Sequence, residues 1–260
     1  MKLFKTLLAV AILFLLSYNS FAIDEDTQKQ RIINHAEKFI AGAKFQETDL
    51  DTPTRSPAGP RLYRQVVNAV VLVFTDQGNQ GSGILISTKG LIITNCHVVE
   101  SAPFVGVIFK PPSGKFTFSK EDVLFAKVLK TDSLRDLAIL QLVSLPVTIT
   151  AVQLGNLSQV EVGQDAFSIS HPEGLPWSYT EGVISQIRPK AEWKSDDGVA
   201  HKATLIQTQA VISFGSSGAP LFDGDGRLIG ILVSTVGPGL NFAIAVDEVQ
   251  QFTLTALERR

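Results

Sequence analysis

The sequence predicts an all-β fold, an antiparallel barrel or sandwich, with a short helix at each end. Short β-branched runs recur from residue 66 to residue 245, and Gly, Asn, Asp and Ser punctuate them at regular spacing. No helical period intervenes between them. The 260 residues are 45% hydrophobic and 18% charged, which excludes collagen-like, coiled-coil and disordered classes. A net charge of −2 supplies no basic field to draw the chain to nucleic acid or anionic lipid. The single cysteine, Cys96, excludes an intrachain disulfide and a Cys-based zinc cluster. No motif calls for a cofactor or a metal.

The elements follow in order. Lys2 and Lys5 precede an apolar run from Leu7 to Leu16, and Ser20-Phe21-Ala22 follows it. This is the layout of a secretory signal peptide, residues 1–22, cleaved after Ala22. The apolar run falls short of the roughly 20 residues a spanning helix needs. Export to the periplasm or the medium is therefore expected, with no stable membrane insertion after cleavage; an uncleaved membrane anchor is the alternative. Export without a disulfide suits a bacterial periplasm. From Thr27 to Ala43 a stripe of Ile32, Ile33, Ala36, Phe39 and Ile40 predicts a leader helix. Glu47 to Arg61, with Pro53, Pro57 and Pro60, reads as an irregular linker.

Strands are expected at Val66–Phe74, Gly83–Ser87, Leu91–Thr94, Val105–Phe109, Val123–Val128 and Leu137–Leu142. The series continues with Ala166–Ser170, Glu181–Ile187, Ala203–Thr208, Arg227–Leu232 and Leu240–Ala245. Asp247 caps a closing helix through Arg259.

Three segments place reactive side chains among turn residues at strand ends: Thr94-Asn95-Cys96-His97, Asp132-Ser133-Leu134-Arg135-Asp136 and Gly215-Ser216-Ser217-Gly218-Ala219. A serine hydroxyl needs a positioned base to take its proton. Histidine serves as that base when a buried carboxylate fixes its tautomer and supports its cationic form. Glycines beside the serine let backbone N–H groups converge on a developing oxyanion. His97, Asp136 and Ser217 supply these parts in the order His, Asp, Ser. Singly each motif is weak; together, on an all-β background, they point to nucleophilic catalysis.

At these residues the chain resembles HtrA/Deg-type trypsin-like serine proteases. Gly81-Ser82-Gly83-Ile84-Leu85-Ile86 through Thr94-Asn95-Cys96-His97-Val98-Val99 is similar to their histidine region, and Asp136-Leu137-Ala138-Ile139-Leu140 to their aspartate segment. His171-Pro172-Glu173-Gly174-Leu175 with Thr180-Glu181-Gly182-Val183-Ile184-Ser185, and the Asn241-Phe242-Ala243-Ile244-Ala245 strand, extend the likeness. The resemblance implies two six-stranded antiparallel barrels with the active site between them. It makes residues 62–260 the protease domain, split into barrels at about 62–150 and 151–246 and a closing helix at 247–260. Two small barrels use all of it, leaving no room for the PDZ domains common in the family. The resemblance assigns Ser217 as nucleophile, His97 as general acid/base and Asp136 as orienting carboxylate. The N–H groups of Gly215 and Ser217 would form the oxyanion hole, and Val211, Ile212 and Leu232 the substrate pocket.

Departures from the family pattern carry information. Ala219 stands where a glycine is usual and must hold a negative or mildly strained φ. Ser216 replaces the aspartate that digestive relatives pair with a new N-terminus, so neighbouring loops must order the oxyanion loop. The polar insert Ala191–His201, with its Asp197-Gly198 turn, is a candidate regulator. No acid stands at Val211, which disfavours cleavage after Arg or Lys. Glutamyl endopeptidases carry a pocket histidine where Leu232 follows Ile229-Gly230-Ile231. The expected activity is cleavage of unfolded or partner polypeptides after small or medium aliphatic residues, in quality control or processing of exported proteins. A non-catalytic chaperone or binding module, or a glutamyl-endopeptidase-like protease, is the alternative. Cys96 reads as a small buried hydrophobe, His171 and His201 as polar loop residues without metal partners, and His35 as surface. Leu62 and Tyr63 read as exposed apolar residues through which a homotrimer would pack.

Overall fold

The computed structural model describes residues 24–42, 59–111, 119–195, 197–237 and 239–257. The signal-peptide expectation and most of the linker lie outside them. Among the described residues twelve strands close into two antiparallel barrels of six, in the orders β1-β2-β3-β6-β5-β4 and β10-β11-β12-β9-β8-β7. The first barrel comprises β1 (Val70–Phe74), β2 (Gln80–Ser87), β3 (Leu91–Thr94), β4 (Phe104–Phe109), β5 (Leu124–Asp132) and β6 (Leu137–Leu142). The second comprises β7 (Asp165–Ser170), β8 (Ser178–Lys194), β9 (Ala200–Thr208), β10 (Pro220–Asp223), β11 (Leu228–Gly237) and β12 (Leu240–Ala245). Closure removes the unpaired sheet edges that would otherwise template aggregation. Apolar strand residues such as Ile84, Ile92, Ile139, Leu140, Ile206, Leu221, Ile231 and Ile244 are fully buried, and because neighbours such as Ile139 and Leu140 alternate, both faces of the barrel walls are covered.

Among the described residues four helices accompany the barrels: α1 (Glu25–Gly42), α2 (Gly59–Val66), a single turn α3 (Cys96–Val99) and α4 (Val246–Leu257). Helix α1 lies on the outside of the first barrel. Ile32 is fully buried there, beside Gly106 on β4, where a Cβ would stand 2.6 Å from the Ile32 side chain and 2.4 Å from the Phe74 ring. A side chain at residue 106 would thus push the helix off. Helix α4 crosses back to the first barrel, burying Val249 and Phe252. Arg135 bonds Glu248 and Gln251 of α4 at 2.8 Å each while pairing with Asp132 of its own turn. The closing helix therefore braces the turn that presents Asp136.

Three expectations need correction. Val66 to Ala69 is not strand: Val66 ends helix α2 and Val67–Ala69 form a 3-10 turn, so the buried Val66, Val67 and Ala69 pack from outside the strand ladder. The C-terminal end of the expected linker is ordered, because Gly59–Val66 is helical with Pro60 in its first turn, where a missing N–H costs nothing. Leu62 is only 5% exposed, and Tyr63 donates its hydroxyl to the Trp177 carbonyl at 3.2 Å and meets Tyr179 edge-on. The apolar pair read as exposed is used within the chain.

Candidate active site

His97 sits in the single turn α3 that follows β3, and Asp136 sits in the turn entering β6. Strands β3 and β6 are paired, with Thr94 opposite Ala138, which brings the two residues together across 39 positions of sequence. The Asp136 carboxylate, 2% exposed, receives the His97 backbone N–H on Oδ1 at 3.0 Å and meets the His97 ring Nδ1 with Oδ2 at 2.7 Å. Its backbone is in the left-handed region at φ 56, a conformation that favours Asn, Asp and Gly. Asn95 holds it there by donating Nδ2 to the Asp136 carbonyl at 2.8 Å. The His97 side chain is 47% exposed, whereas that of Asp136 is buried.

The loop bearing Ser217 joins β9 to β10 and packs against the first barrel. The Ser82 N–H donates to the Ser217 carbonyl at 2.8 Å. Gly218 has φ +81, and a Cβ there would lie 2.2 Å from the Ser82 carbonyl and 2.3 Å from Thr94 Oγ1. Gly81 is pressed in the same way between Val98 and the Ser217 carbonyl. These close approaches carry Ser217 to the strand end from which His97 projects. Among the described residues Ser217 Oγ makes no hydrogen bond, to His97 or otherwise. Such bonds tighten only when substrate is bound.

The peptide groups before and after Gly215 are pinned. The Phe214 carbonyl accepts from the Glu173 N–H at 2.8 Å, the Gly215 carbonyl accepts from Ser82 Oγ at 2.9 Å, and the Ser216 N–H donates to Ser213 at 2.9 Å. With Gly215 at φ +90, the amides of Gly215 and Ser217 are left without a partner among the described residues. Ser216 is buried and bonds Ser170 on β7 at 3.2 Å, which orders this loop where digestive relatives use an aspartate. Ala219 is absent from the positive-φ residues, and its N–H closes a turn onto Ser216 at 3.0 Å, so its side chain costs no strain.

The remaining residues singled out in the sequence fall as follows. Leu232 is fully buried on β11, Ile212 is partly buried, and Val211 is 60% exposed. Phe214 stands 70% exposed and, with His35 and Lys38 of α1 and Leu72 and Phe74 of β1, lines a cavity of about 320 Å³ beside the loop that bears Ser217. The insert from Ala191 to His201 forms the end of the β8–β9 hairpin, with Trp193 stacked on His201 at 5.0 Å. Its contacts reach the first barrel: His201 Nδ1 meets the Ser133 carbonyl at 2.8 Å, and the Lys202 N–H donates to Leu134 at 2.7 Å. The hairpin thus touches the turn before Asp136, whereas the bonds holding the Gly215–Ser217 loop come from residues 170–173 and Ser82. Burial pushes the Cys96 thiol pKa up, and the Asp136 carboxylate adds to the shift, so Cys96 is a thiol rather than a reactive thiolate at neutral pH.

His201, read as a polar loop residue, lies buried on β9 instead, and His171 departs from that reading further. It is 1% exposed, stands edge-on to Trp177 at 5.2 Å, and burial pulls its pKa down to about 3. Sequence reasoning also missed Ser82, Asn95, Ser170 and Glu173. The only local signal was Ser82 lying between two glycines, Gly81 and Gly83, and the partners of Ser82, His171 and Gly215, come from the second barrel.

A family profile described as the trypsin-like peptidase domain matches residues 81–231, a span that holds His97, Asp136 and Ser217. The chain belongs to the trypsin-like peptidase family. It is similar to the magnetosome formation protease MamE of Magnetospirillum gryphiswaldense, 33% identical over 181 residues, covering 68% of this chain and 22% of that relative. Serine protease HTRA2, mitochondrial, of Drosophila willistoni is 36% identical over 186 residues, 70% of this chain and 39% of the relative. Serine protease PepD of Mycobacterium tuberculosis is 32% identical over 207 residues, 74% and 44% respectively. The chain therefore spans less than half the length of these relatives. A solved structure of the HtrA-type protease AlgW with a tripeptide superposes with a TM-score of 0.63 at 25% identity, over 76% of this chain and 63% of that one. This trypsin-like, HtrA-related chain has no helix, among the described residues, long and apolar enough to cross a membrane.

Proposed function

We propose that this trypsin-like chain is a serine endopeptidase that hydrolyses unfolded or partner polypeptides through an acyl-enzyme on Ser217. The observation that carries the reading is the His97–Asp136 pair, in which one buried carboxylate binds both the ring and the backbone of the same histidine. With Nδ1 protonated and bonded to Asp136, Nε2 is left as the base. It takes the Ser217 hydroxyl proton as Oγ attacks the scissile carbonyl, and the carbonyl π electrons move onto oxygen. The Gly215 and Ser217 amides, unpaired and backed by fixed peptide planes, are disposed to receive that oxyanion. His97 then returns the proton to the leaving amine, and water repeats the sequence to release the acid. Asp136 stays ionised throughout and supports the imidazolium.

An apolar pocket of Val211, Ile212 and Leu232 accepts small or medium aliphatic residues before the cut. It discriminates among them by only about 1–3 kcal/mol per methylene. No cation lines that set, which argues against the glutamyl-endopeptidase reading. An intact base and carboxylate argue against a purely binding role, since a chaperone needs neither. The apolar run at residues 7–16 supports export, placing the work in quality control or processing of exported proteins. Ser217→Ala is expected to lower turnover of an unfolded polypeptide by several orders of magnitude while leaving the unfolding curve unchanged. Wild-type rates in that variant would remove Ser217 from the chemistry.

A further inference from the structure

One of the contacts between the two barrels is a buried hydroxyl. Ser82 on β2 is fully buried, and its Oγ has three neighbours: the Gly215 carbonyl at 2.9 Å, the His171 backbone N–H at 3.2 Å and His171 Nδ1 at 2.9 Å. A hydroxyl has one proton to give and two lone pairs to receive. The Gly215 carbonyl can only accept, so the Ser82 proton goes to it. Both contacts with His171 must then run the other way, with the backbone N–H and the ring Nδ1–H donating to Ser82 Oγ. That assignment makes His171 a neutral imidazole protonated on Nδ1 and leaves Nε2 bare. Nε2 is indeed buried without a hydrogen-bond partner.

We propose that Ser82 and His171 are positioning residues for the oxyanion hole, a clamp from the first barrel and the β7–β8 loop onto the carbonyl of Gly215. The proposal rests on the reading that the Gly215 and Ser217 amides receive the oxyanion. Glycine is the residue least restricted in φ and ψ, and at φ +90 the chain holds Gly215 in a region other residues avoid. No substituent can hold it from the side, because a Cβ would lie 2.4 Å from the His171 carbonyl. Its orientation is therefore set by bonds to its flanking peptide groups. Glu173, two residues after His171, fixes the preceding carbonyl, and Ser82, oriented by His171, fixes its own. Releasing the second anchor frees the Gly215–Ser216 peptide to turn, and rotation about the Gly215 and Ser216 Cα bonds then shifts the amides on either side of it, those of Gly215 and Ser217. A displacement of about 1 Å is worth roughly a hundredfold in rate. Neither residue touches substrate; both act through Gly215.

Two readouts test the clamp. In ¹⁵N-histidine NMR of the wild-type protein, one of the four histidines is expected to show a protonated Nδ1 and a bare Nε2, unchanged from neutral pH down to about 4. A buried histidine protonated on Nε2, or none that resists titration, overturns the bond assignment. In peptide hydrolysis, Ser82→Ala and His171→Phe are expected to lose about a hundredfold in kcat with KM changed by less than about threefold. Ser82→Thr, which returns the hydroxyl, recovers most of kcat. All are assayed below their measured unfolding temperatures. Unchanged kcat in the folded Ser82→Ala and His171→Phe proteins, loss confined to KM, or a folded Ser82→Thr no better than Ser82→Ala would overturn the proposal. A wild type inactive on every peptide, with the expected NMR, sinks the endopeptidase reading and leaves the bond assignment standing.

Discussion

Replacing Asp136 with asparagine changes no heavy-atom shape, yet the geometry around the carboxylate makes the outcome severe. Asp136 offers two acceptors to two donors of His97, the backbone N–H at 3.0 Å and the ring Nδ1 at 2.7 Å. Asparagine has one acceptor and one donor group. The backbone N–H can only donate, so the amide oxygen must face it, and the NH₂ then faces Nδ1. A ring nitrogen that receives a hydrogen bond carries no proton, which moves the proton to Nε2. The base that should accept the Ser217 proton is thereby occupied. The opposite amide orientation sets two buried donors against each other, at a cost of about 1–3 kcal/mol. A wrong tautomer of this kind lowers kcat by roughly 10⁴, or about 5.5 kcal/mol of barrier. Initial rates on an unfolded polypeptide, with circular dichroism to confirm an unchanged fold, measure it. A folded Asp136→Asn protein retaining a tenth or more of wild-type kcat would refute the tautomer argument.

Other outcomes follow from the same contacts. Gly218→Ala must place a methyl 2.2 Å from the Ser82 carbonyl at φ +81, so activity is expected to collapse and stability to fall by at least the roughly 1–3 kcal/mol of backbone strain; urea unfolding and peptidase rates check it. Ile32→Ala should cost about 2–4 kcal/mol in urea unfolding, because the side chain is fully buried between α1 and the first barrel, whereas a change under about 0.5 kcal/mol would mean the helix is not docked. Burial pushes the Glu248 pKa up, but bonds from Arg135 and the Thr204 N–H outweigh it and hold it below the ordinary glutamate value. A depressed folded pKa stabilises fully above the unfolded pKa and ceases to do so as pH falls through the folded one. The Tm difference between wild type and Glu248→Gln should therefore be greatest at neutral pH and vanish in acid; a constant difference would contradict it.

Much of the barrel architecture was legible because buried strands announce themselves. Runs such as Leu137–Leu142 and Leu91–Thr94 are apolar, β-branched and bounded by turn residues, and both lie where expected. Strand β10 was missed for the opposite reason. It is four residues long, opens on Pro220, and runs directly from the Ser217 turn into Asp223-Gly224-Asp225-Gly226, so no periodicity has room to develop. Strand β8 was drawn too short because register shifts at residues 184–186 and 188–191 break its alternation. Val66 and Val67 have strand propensity but are spent on a helix end and a 3-10 turn, a tertiary choice that propensity does not see.

At the site, His97, Asp136 and Ser217 stood out because reactive side chains among turn residues are locally visible. The structure brings His97 and Asp136 together as a bonded pair and seats Ser217 on the adjoining strand end. The supporting residues were invisible for a physical reason. His171 is flanked by Pro172, Glu173 and Gly174, a polar neighbourhood in sequence, yet its ring is buried against Trp177 and Ser82, the latter 89 positions away. Long-range hydrogen bonds of this kind leave no periodic trace. The same holds for Asn95, whose role depends on a carbonyl 41 positions later.

The most direct test of the central claim is covalent labelling of the wild-type chain with a fluorophosphonate, followed by mass mapping of the modified residue. The account predicts stoichiometric modification of Ser217, slowed by orders of magnitude in His97→Ala and absent in Ser217→Ala. A folded wild-type chain that takes no label, or takes it at another residue, would contradict it.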